Sequence, residues 1–332
     1  MGRENEAARV HLTYWWCCGG LAIGRSCQRT ALPVIGFLGS SLPEEYAIRL
    51  RAFRQGLKDE GYVEGQNVVV EYRWAEDQNS RLPPLAAELV RRQVKVIVAG
   101  GGSPSALAAK ATTATIPIVF ATAVDPVAIG LVKSLDRPGG NLTGVTNRNV
   151  EIGPKRLELL RELLPKATTI AVLVNPSSRD LGERFLQTLQ PAARALGMQL
   201  HVLSASTKKD LDAVFAALAQ HQAHALLICP DVFFNAQIEQ FAALGIRHAV
   251  PVVYQYHPFV KAGGLLSYGS DETEYYRLVG IQTGKILKVE KPADLPVMQS
   301  TKVELMINLK TAKGLGIAVP LSVLGRADEV IE

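Results

Sequence analysis

Cysteine is nearly absent from most of this 332-residue sequence. Three of its four cysteines, Cys17, Cys18 and Cys27, lie within the first thirty positions, so Cys229 is the only one in the remainder. That remainder cannot form an internal disulfide, and no group of cysteines and histidines has the spacing of a zinc site. Cys229 ends the apolar run that starts at Ala225, which is typical of a buried strand, so we expect it to be a small core residue.

Long apolar runs and concentrated charge are also missing. No stretch of about 18 uninterrupted apolar residues occurs, so the sequence predicts no membrane span. The formal net charge is +5, and the basic residues are scattered through predicted helices. Without a basic stripe or a recognised binding motif, we expect no nucleic-acid partner. Apolar residues make up 48% and charged residues 20% of the chain, which is ordinary for a globular protein.

Signatures of catalysis are lacking as well. The sequence has no Gly-x-Ser-x-Gly elbow and no phosphate-binding P-loop, and its six histidines show no ligand spacing. The run from Gly100 to Ser105 approaches the dinucleotide fingerprint, but it follows the third predicted strand and has no clear acidic partner. We therefore expect a protein that is not an enzyme and that carries no cofactor and no metal.

The first thirty residues lack the periodicity that begins at Leu32. A secretory leader has a basic start, an apolar run of about 7–15 residues and a small-residue cleavage site, whereas Glu4 and Glu6 stand in this start. We treat 1–31 as a leader-like or disordered segment. One permitted codon choice for 21–28, read one base later, encodes a small-x-small cleavage signal. A leader in another reading frame is thus one hypothesis, and a divergent tail is the other.

From Leu32 onward, short apolar runs alternate with segments of helical period. The predicted strands are 34–38, 67–72, 94–99, 116–121, 142–145, 170–174, 199–203, 225–228 and 251–254. The predicted helices are 44–60, 82–93, 105–113, 126–135, 154–164, 181–196, 209–220 and 235–248. Such alternation indicates βαβ units and parallel sheets. Because it restarts after 146–153, the sequence predicts an α/β fold of two doubly wound lobes with a hinge, and the length also favours two domains.

The loops after these strands share one chemistry. Each places a small polar side chain, often followed by proline, where a helix begins; they are Ser40-Ser41, Gly102-Ser103-Pro104, Asp125-Pro126, Asn175-Pro176 and Pro230-Asp231. Helix amino ends present free N–H groups and partial positive charge, and ligands of open α/β sheets bind beyond the carboxyl ends of the strands. Several such loops facing one cleft would suit a carboxylate or a similar small polar molecule. Taken singly, each pair is also ordinary helix-start chemistry.

Several stretches together resemble the ABC transporter substrate-binding family that is related to tryptophan- and tyrosine-binding lipoproteins. They are 33–40 (PVIGFLGS), 53–57 (FRQGL), 61–67 (GYVEGQN), 137–146 (RPGGNLTGVT), 155–160 (KRLELL), 263–269 (GGLLSYG), 291–297 (KPADLPV), 307–312 (INLKTA) and 326–332 (RADEVIE). The resemblance covers 32–332 and implies a fold similar to type I periplasmic binding proteins. It implies a non-catalytic, monomeric, periplasmic protein that carries a small-molecule ligand to an ABC permease and ATPase.

The resemblance also implies where the chain crosses between lobes. Crossings are expected near residues 147, 267 and 294, with the helix at 275–287 returning to the first lobe and the tail from about 296 lying on the second. The first lobe would then comprise 32–147 with 268–293, and the second 148–267 with 294–332. Two alternatives are a ligand-sensing domain of a transcription regulator, which needs a DNA-binding unit that thirty irregular residues cannot supply, and a binding protein that is not exported.

The same resemblance suggests roles for individual residues. Ser40, Ser103 and Ser105 would donate to ligand oxygens from the first lobe, beside Ser41 and Gly102. Asp125 would meet an ammonium group or cap a helix. From the second lobe, Asn175 and Asp231 would reach the ligand, and pairing of Asp231 with a ligand amine is the leading expectation. The rest of the ligand would lie against Phe234, Asn235 and Tyr254.

Overall fold

Two sheets carry the fold, in a computed structural model that describes residues 32–332. Within that range the strands are β1 Val34–Gly39, β2 Val69–Trp74, β3 Val96–Ala99, β4 Ile118–Thr122, β5 Leu142–Thr146, β6 Thr169–Val174, β7 Gln199–Ser204, β8 Ala225–Ile228, β9 Val252–Tyr254, β10 Leu266–Ser270, β11 Met298–Gln299, β12 Val303–Asn308 and β13 Glu329–Ile331. The helices are α1 Ala47–Asp59, α2 Leu82–Arg91, α3 Gly102–Thr112, α4 Gly153–Leu163, α5 Arg179–Ala195, α6 Asp210–Gln220, α7 Val232–Asn235, α8 Ile238–Arg247, α9 His257–Lys261, α10 Glu272–Leu287, α11 Leu309–Gly314 and α12 Leu321–Leu324. The predicted leader lies outside the described residues.

The first sheet has the order β11-β5-β4-β3-β1-β2, and the second has the order β13-β12-β10-β9-β8-β6-β7. All pairs are parallel except β10 with β12, which is antiparallel. Apolar side chains of the central strands are buried on both faces, as helices on both sides of a parallel sheet require. The predicted class, two doubly wound parallel-sheet lobes, is confirmed.

The predicted helix at 126–135 is wrong, because the chain forms successive turns there. A single helix-like bond joins Ile129 N to Asp125 O, and Gly130 then takes the left-handed conformation, with φ of +70°. Left-handed backbone ends a helix rather than continuing it. Asp125 therefore caps a turn, in which its carboxylate accepts from the Val127 N–H at 2.8 Å.

Strand pairing moves two of the expected lobe boundaries. Residues 268–270 belong to the second sheet rather than the first lobe, because β10 pairs with β12 along its whole length, from Leu266 to Ser270. Met298 and Gln299 belong to the first sheet rather than the second lobe, because they pair with Val145 and Thr146. The chain thus crosses between sheets near 147, 271 and 300.

Helix α10 follows a strand of the second sheet yet packs on α1 of the first lobe. The two helices meet at Gly56 and Gly280, where added methyl groups would overlap the carbonyl oxygens of Arg277 and Phe53. Only glycine allows backbones to approach so closely. The first lobe is therefore completed by a segment distant in sequence.

The crossing segments are bonded to one another. Ser300 N donates to Thr146 O at 2.9 Å, and Ser270 Oγ donates to Asn147 O at 3.3 Å. Arg148 has a left-handed φ of +54°, a conformation uncommon for a residue with a side chain. These segments lie where a hinge between the lobes would have to bend. From residue 32 onward, no helix combines the length and apolar character that crossing a bilayer requires.

Candidate functional site

A cavity of about 50 Å³ lies between the two lobes, where loops after the parallel strands face each other. We call it the cleft cavity. Its first-lobe wall consists of Ser40, Ser41, Asp77, Asn79, Gly101, Gly102, Ser103, Pro104 and Ala123. Its second-lobe wall consists of Asn175, Ser177, Ser178, Leu181, Ser206, Pro230, Asp231, Val232 and Phe233. The lining is rich in hydroxyl groups and holds two carboxylates but no lysine or arginine.

The first-lobe wall is formed where the amino end of α3 meets the end of β1. An added methyl group at Gly101 would lie 2.5 Å from Ser40 N, so the two loops approach backbone to backbone. Gly102 begins α3 with a φ of +79°, which glycine adopts at no steric cost. Free N–H groups at a helix amino end attract anions. This wall is therefore suited to a carboxylate.

Ser103 and Ser105 have different positions in the first turn of α3. Ser103 lines the cleft cavity, and its hydroxyl lies 2.7 Å from Thr122 Oγ1. Ser105 is fully buried, where Oγ accepts from Gly101 N and donates to Gly102 O, both at 2.9 Å. Ser105 therefore does not line the cleft cavity, and both hydrogen-bonding functions of its hydroxyl are used within the loop. Ser103 is placed at helix position N2 and is not the N-cap expected of it.

The second-lobe wall is formed around Asp231, the N-cap of α7. Its Oδ1 accepts from Phe233 N at 2.9 Å and from Asn175 Nδ2 at 3.0 Å. Asn175 in turn accepts from Ser177 N at 2.9 Å, capping a one-turn 3-10 helix. Both predicted side chains thus lie together in the cleft cavity.

Burial raises the pKa of the Asp231 carboxyl, and hydrogen bonds from Asn175 and Ser178 oppose that rise only in part. All of its partners are neutral groups. A buried carboxylate without a cation is costly, so a ligand ammonium group placed beside it would be strongly favoured.

Three predicted pocket residues do not line the cleft cavity. Phe234 is fully buried in the second-lobe core, with its ring 5.8 Å from that of Phe241. Tyr254 is also fully buried, and Asn235 contacts Tyr254 and Gln255 at the far end of α7. From α7 it is the neighbouring ring of Phe233 that lines the cavity.

Asp125 also lies outside the cleft cavity, in an exposed turn. Its N–H donates to Glu151 Oε1 at 3.1 Å, and its carboxylate caps the turn. Of its two predicted roles, capping is the one the contacts support, although it caps a turn rather than a helix.

Sequence reasoning missed several cavity residues. Ser177 and Ser178 directly follow the Asn175-Pro176 signal, and Ser206 follows β7, so their position beyond strand ends was a usable indication. Asp77 also lies beyond a strand end, that of β2, but its approach to the cavity depends on the turn that follows. It reaches the cavity through consecutive left-handed residues, with φ of +53° at Glu76 and +60° at Asp77. Its N–H then bonds Ser40 O at 2.8 Å.

Direct contacts hold the cavity closed at its rim. Asn79 Nδ2 of the first lobe donates to Ser177 O of the second at 2.8 Å. Lys208 Nζ of the second lobe lies 3.5 Å from Glu45 Oε1 of the first. Burial, and secondarily the charge of Asp77, raise the pKa of Glu45. Since an apolar cavity of about 150 Å³ binds benzene, a cavity of about 50 Å³ is small for an aromatic molecule.

Taken together, the cleft cavity presents the amino end of α3 and the Asp77 carboxylate on one wall and the Asp231 carboxylate on the other. Its lining contains hydroxyl, amide and carboxylate groups but no histidine, cysteine or lysine. Within the described part of the chain, no cluster of three or more potential metal ligands occurs. The arrangement is suited to holding a small molecule of mixed charge between the lobes.

Comparison with known proteins gives a consistent picture. The family model described as ABC transporter substrate binding protein matches residues 43–331. A tyrosine-binding protein of Clostridioides difficile is 28% identical over 269 residues, covering 80% of this chain and 75% of the relative.

Among solved structures, a conserved domain protein from Vibrio cholerae is 29% identical with a TM-score of 0.79, covering 90% of this chain and 99% of that one. An ABC domain from Streptococcus pneumoniae in complex with L-Trp is 25% identical with a TM-score of 0.81, covering 91% and 100%. The ligand-free, open structure of a substrate binding protein with adhesive properties from Clostridium difficile is also 25% identical, covers 90% and 99%, and gives a TM-score of 0.62. This chain thus superposes more closely on the L-Trp complex than on the open, ligand-free structure.

Proposed function

The chain belongs to the ABC transporter substrate-binding protein family, whose members bind solutes without catalysis, and from this premise we propose that its cleft cavity captures a free α-amino acid. The observation that carries the proposal is the placement of the buried Asp231 carboxylate, which has only neutral partners, across the cavity from the amino end of α3. An α-amino acid has an ammonium group for the first and a carboxylate for the second.

Closure of the lobes is the second part of the proposal. The ligand would enter an open cleft, and the lobes would then rotate about the crossing segments near 147, 271 and 300. The tyrosine-binding relative and the structure with bound L-Trp make tyrosine and tryptophan the first ligands to test. Both are larger than the closed cavity, so the lobes would close less tightly around them.

A thermal-shift screen of the natural amino acids, with benzoate as a matched acid that lacks an amine, tests the ligand class. A ligand at about 100 times its dissociation constant adds about 2.7 kcal/mol to the free energy of unfolding. We expect at least one amino acid to raise the melting temperature and benzoate to leave it unchanged. Stabilisation by benzoate alone, or by no amino acid, would contradict the proposal.

We further propose that the protein acts outside the cytoplasm, in the periplasm, as a monomer that delivers its ligand to an ABC permease and its ATPase. Family membership supports this role. Cell fractionation tests the location, and recovery in the cytosol alone would contradict it. Uptake of the labelled amino acid, measured with and without this protein beside its permease and ATPase, tests delivery.

A further inference from the structure

A fully enclosed arginine lies at the contact between the lobes, one layer behind the cleft cavity. Arg49 of α1 is 2% exposed, and its Nε donates to Glu272 Oε1 at 2.8 Å. Its guanidinium stacks on the ring of Tyr46 at 4.8 Å, and the Tyr46 hydroxyl lies 3.3 Å from Ser40 Oγ of the cavity wall. Arg49, Glu272 and Tyr46 all belong to the first lobe.

The partner of Arg49 from the second lobe is Asn235. When the amide of Asn235 is oriented to satisfy its surroundings, its oxygen accepts from Arg49 Nη2 at 3.2 Å and its nitrogen donates to Asp231 O at 3.2 Å. Amide orientation is assigned from such networks. Gln255 Oε1 is otherwise buried without a partner. If the amide of Gln255 is turned as well, its Oε1 accepts from the nitrogen of Asn235, since the two amides lie 2.8 Å apart.

Closing the lobes around this arginine has a cost that Asn235 offsets. Glu272 bonds only the Nε side of the guanidinium, and Nη1 is buried without a partner. Without Asn235, closure would leave Nη2 unpaired as well. A buried, unsatisfied hydrogen-bonding group is expensive, and more so when it is charged.

Helix α7 joins this contact to the ligand. It begins at Asp231, in the cleft cavity, and ends at Asn235, beside Arg49. Between them, Val232 packs on the first lobe, 3.3 Å from the position of an added methyl group at Gly102. One short helix therefore carries a ligand-facing group at one end and the contact to the other lobe at its opposite end.

We infer that Asn235 and Arg49 form a contact that, together with those at the rim, holds the closed lobes over a captured ligand, so that Asn235 is a positioning residue and does not touch the ligand. The inference rests on the proposed function of the cleft cavity. The pair determines how long the closed complex lasts, whereas the residues of the cavity walls determine which ligand binds.

Asn235→Ala and Arg49→Lys test the contact from its two sides. Lysine keeps a charge for Glu272 but loses the planar fork that reaches two partners. Using the full chain and L-tyrosine or L-tryptophan as the probe, we expect each variant to release ligand about tenfold faster, which corresponds to about 1.4 kcal/mol. Association rates and the order of preference among amino acids should change little. The double variant should release no more than about twofold faster than either single variant, because both remove one contact.

Asn308→Ala is the matched control, since Asn308 is a buried asparagine of the second lobe whose side chain bonds Val260 and Thr311 within that lobe. It should lower stability and leave the release rate unchanged. Equal acceleration by this control would assign the effect to loss of structure and overturn the inference.

Small-angle X-ray scattering of the ligand-free protein supplies a readout that needs no ligand. Asn235→Ala should shift the molecule toward a larger radius of gyration than the wild type. If no amino acid binds the wild type, the proposed function is wrong, but the scattering measurement still tests whether Asn235 and Arg49 hold the lobes together. The inference is overturned if Asn235→Ala alters neither the scattering nor the release of ligand.

Discussion

Replacing Asp231 by asparagine separates ligand recognition from folding more cleanly than any other change in the cleft cavity. Asparagine caps helices about as well as aspartate, so the bond from Phe233 N can persist. The substitution also removes a buried charge that has only neutral partners. We therefore expect the free energy of unfolding of the ligand-free variant to stay unchanged or to rise.

The affinity for an amino acid should fall sharply in the same variant. A hydrogen bond to a charged group contributes about 1.5–3 kcal/mol, and about 1.4 kcal/mol corresponds to a factor of ten in Kd. Loss of the carboxylate facing the ligand ammonium should therefore weaken binding by about 10- to 100-fold. Isothermal titration calorimetry measures the change, and a chemical denaturation curve checks the stability.

Asp125→Asn is the matched control for this prediction. Asp125 caps a turn through a bond from Val127 N at 2.8 Å, a similar motif at a position that does not line the cleft cavity. Its replacement should leave Kd within a factor of about two. Binding of an amino acid by Asp231→Asn as tight as by the wild type would refute the role assigned to the carboxylate.

The pH dependence follows from the direction of the pKa shift. Since burial raises the pKa of Asp231, the folded protein binds a proton there that the unfolded chain has already lost. The contribution of this carboxyl to the free energy of unfolding therefore decreases as pH rises from its ordinary pKa to the raised one. A ligand ammonium favours the ionised carboxylate, so affinity should weaken as pH falls through the raised pKa. Asp231→Asn should remove that dependence.

Three further changes test the packing described above. Gly280→Ala should lower the free energy of unfolding by about 1–3 kcal/mol, because the added methyl group would overlap Phe53 O. Gly314 has open space around it, so Gly314→Ala should leave the free energy of unfolding unchanged or raise it. Denaturant titration compares the two variants. Ser105→Ala should cost about 1–3 kcal/mol by the same measurement, because Gly101 N loses its partner, while the order of preference among amino acids stays unchanged. Because burial holds the pKa of the Cys229 thiol well above its ordinary value, alkylation followed by peptide mass spectrometry should find Cys229 unmodified until denaturant is added.

The alternation of strands and helices was predictable because it depends on local periodicity. Turns at 126–135 were not, since an apolar run after Asp125-Pro126 has the composition of a helix, and the deciding feature is the left-handed backbone at Gly130. The walls of the cavity were predicted in part. Asn175 and Asp231 follow strand ends and lie where expected, as do the loops of Ser40 and Ser103.

Which side of a short helix faces a cavity is not a local property. The sequence around α7 offers two adjacent aromatic rings, and only packing against Phe241 and the rest of the second-lobe core decides that Phe234 turns inward while Phe233 faces the cavity. Asn235 illustrates the same difficulty. Its role depends on Arg49, which is 186 positions away along the chain by the numbering, and nothing in the local pattern connects the two.

The return of α10 to the first lobe has a consequence for how the chain acquires its structure. The pair between Arg49 and Glu272 spans 223 positions, so the side of α1 that packs on α10 has no partner until residues beyond 272 have been synthesised. Contacts of such long sequence separation slow folding, because the loop between them must be closed before they form. An incomplete first lobe would expose the side of α1 that α10 covers throughout that interval. The lobe that the ribosome begins first is therefore among the last parts of the molecule to become stable, and a chain cut short before α10 should aggregate rather than fold.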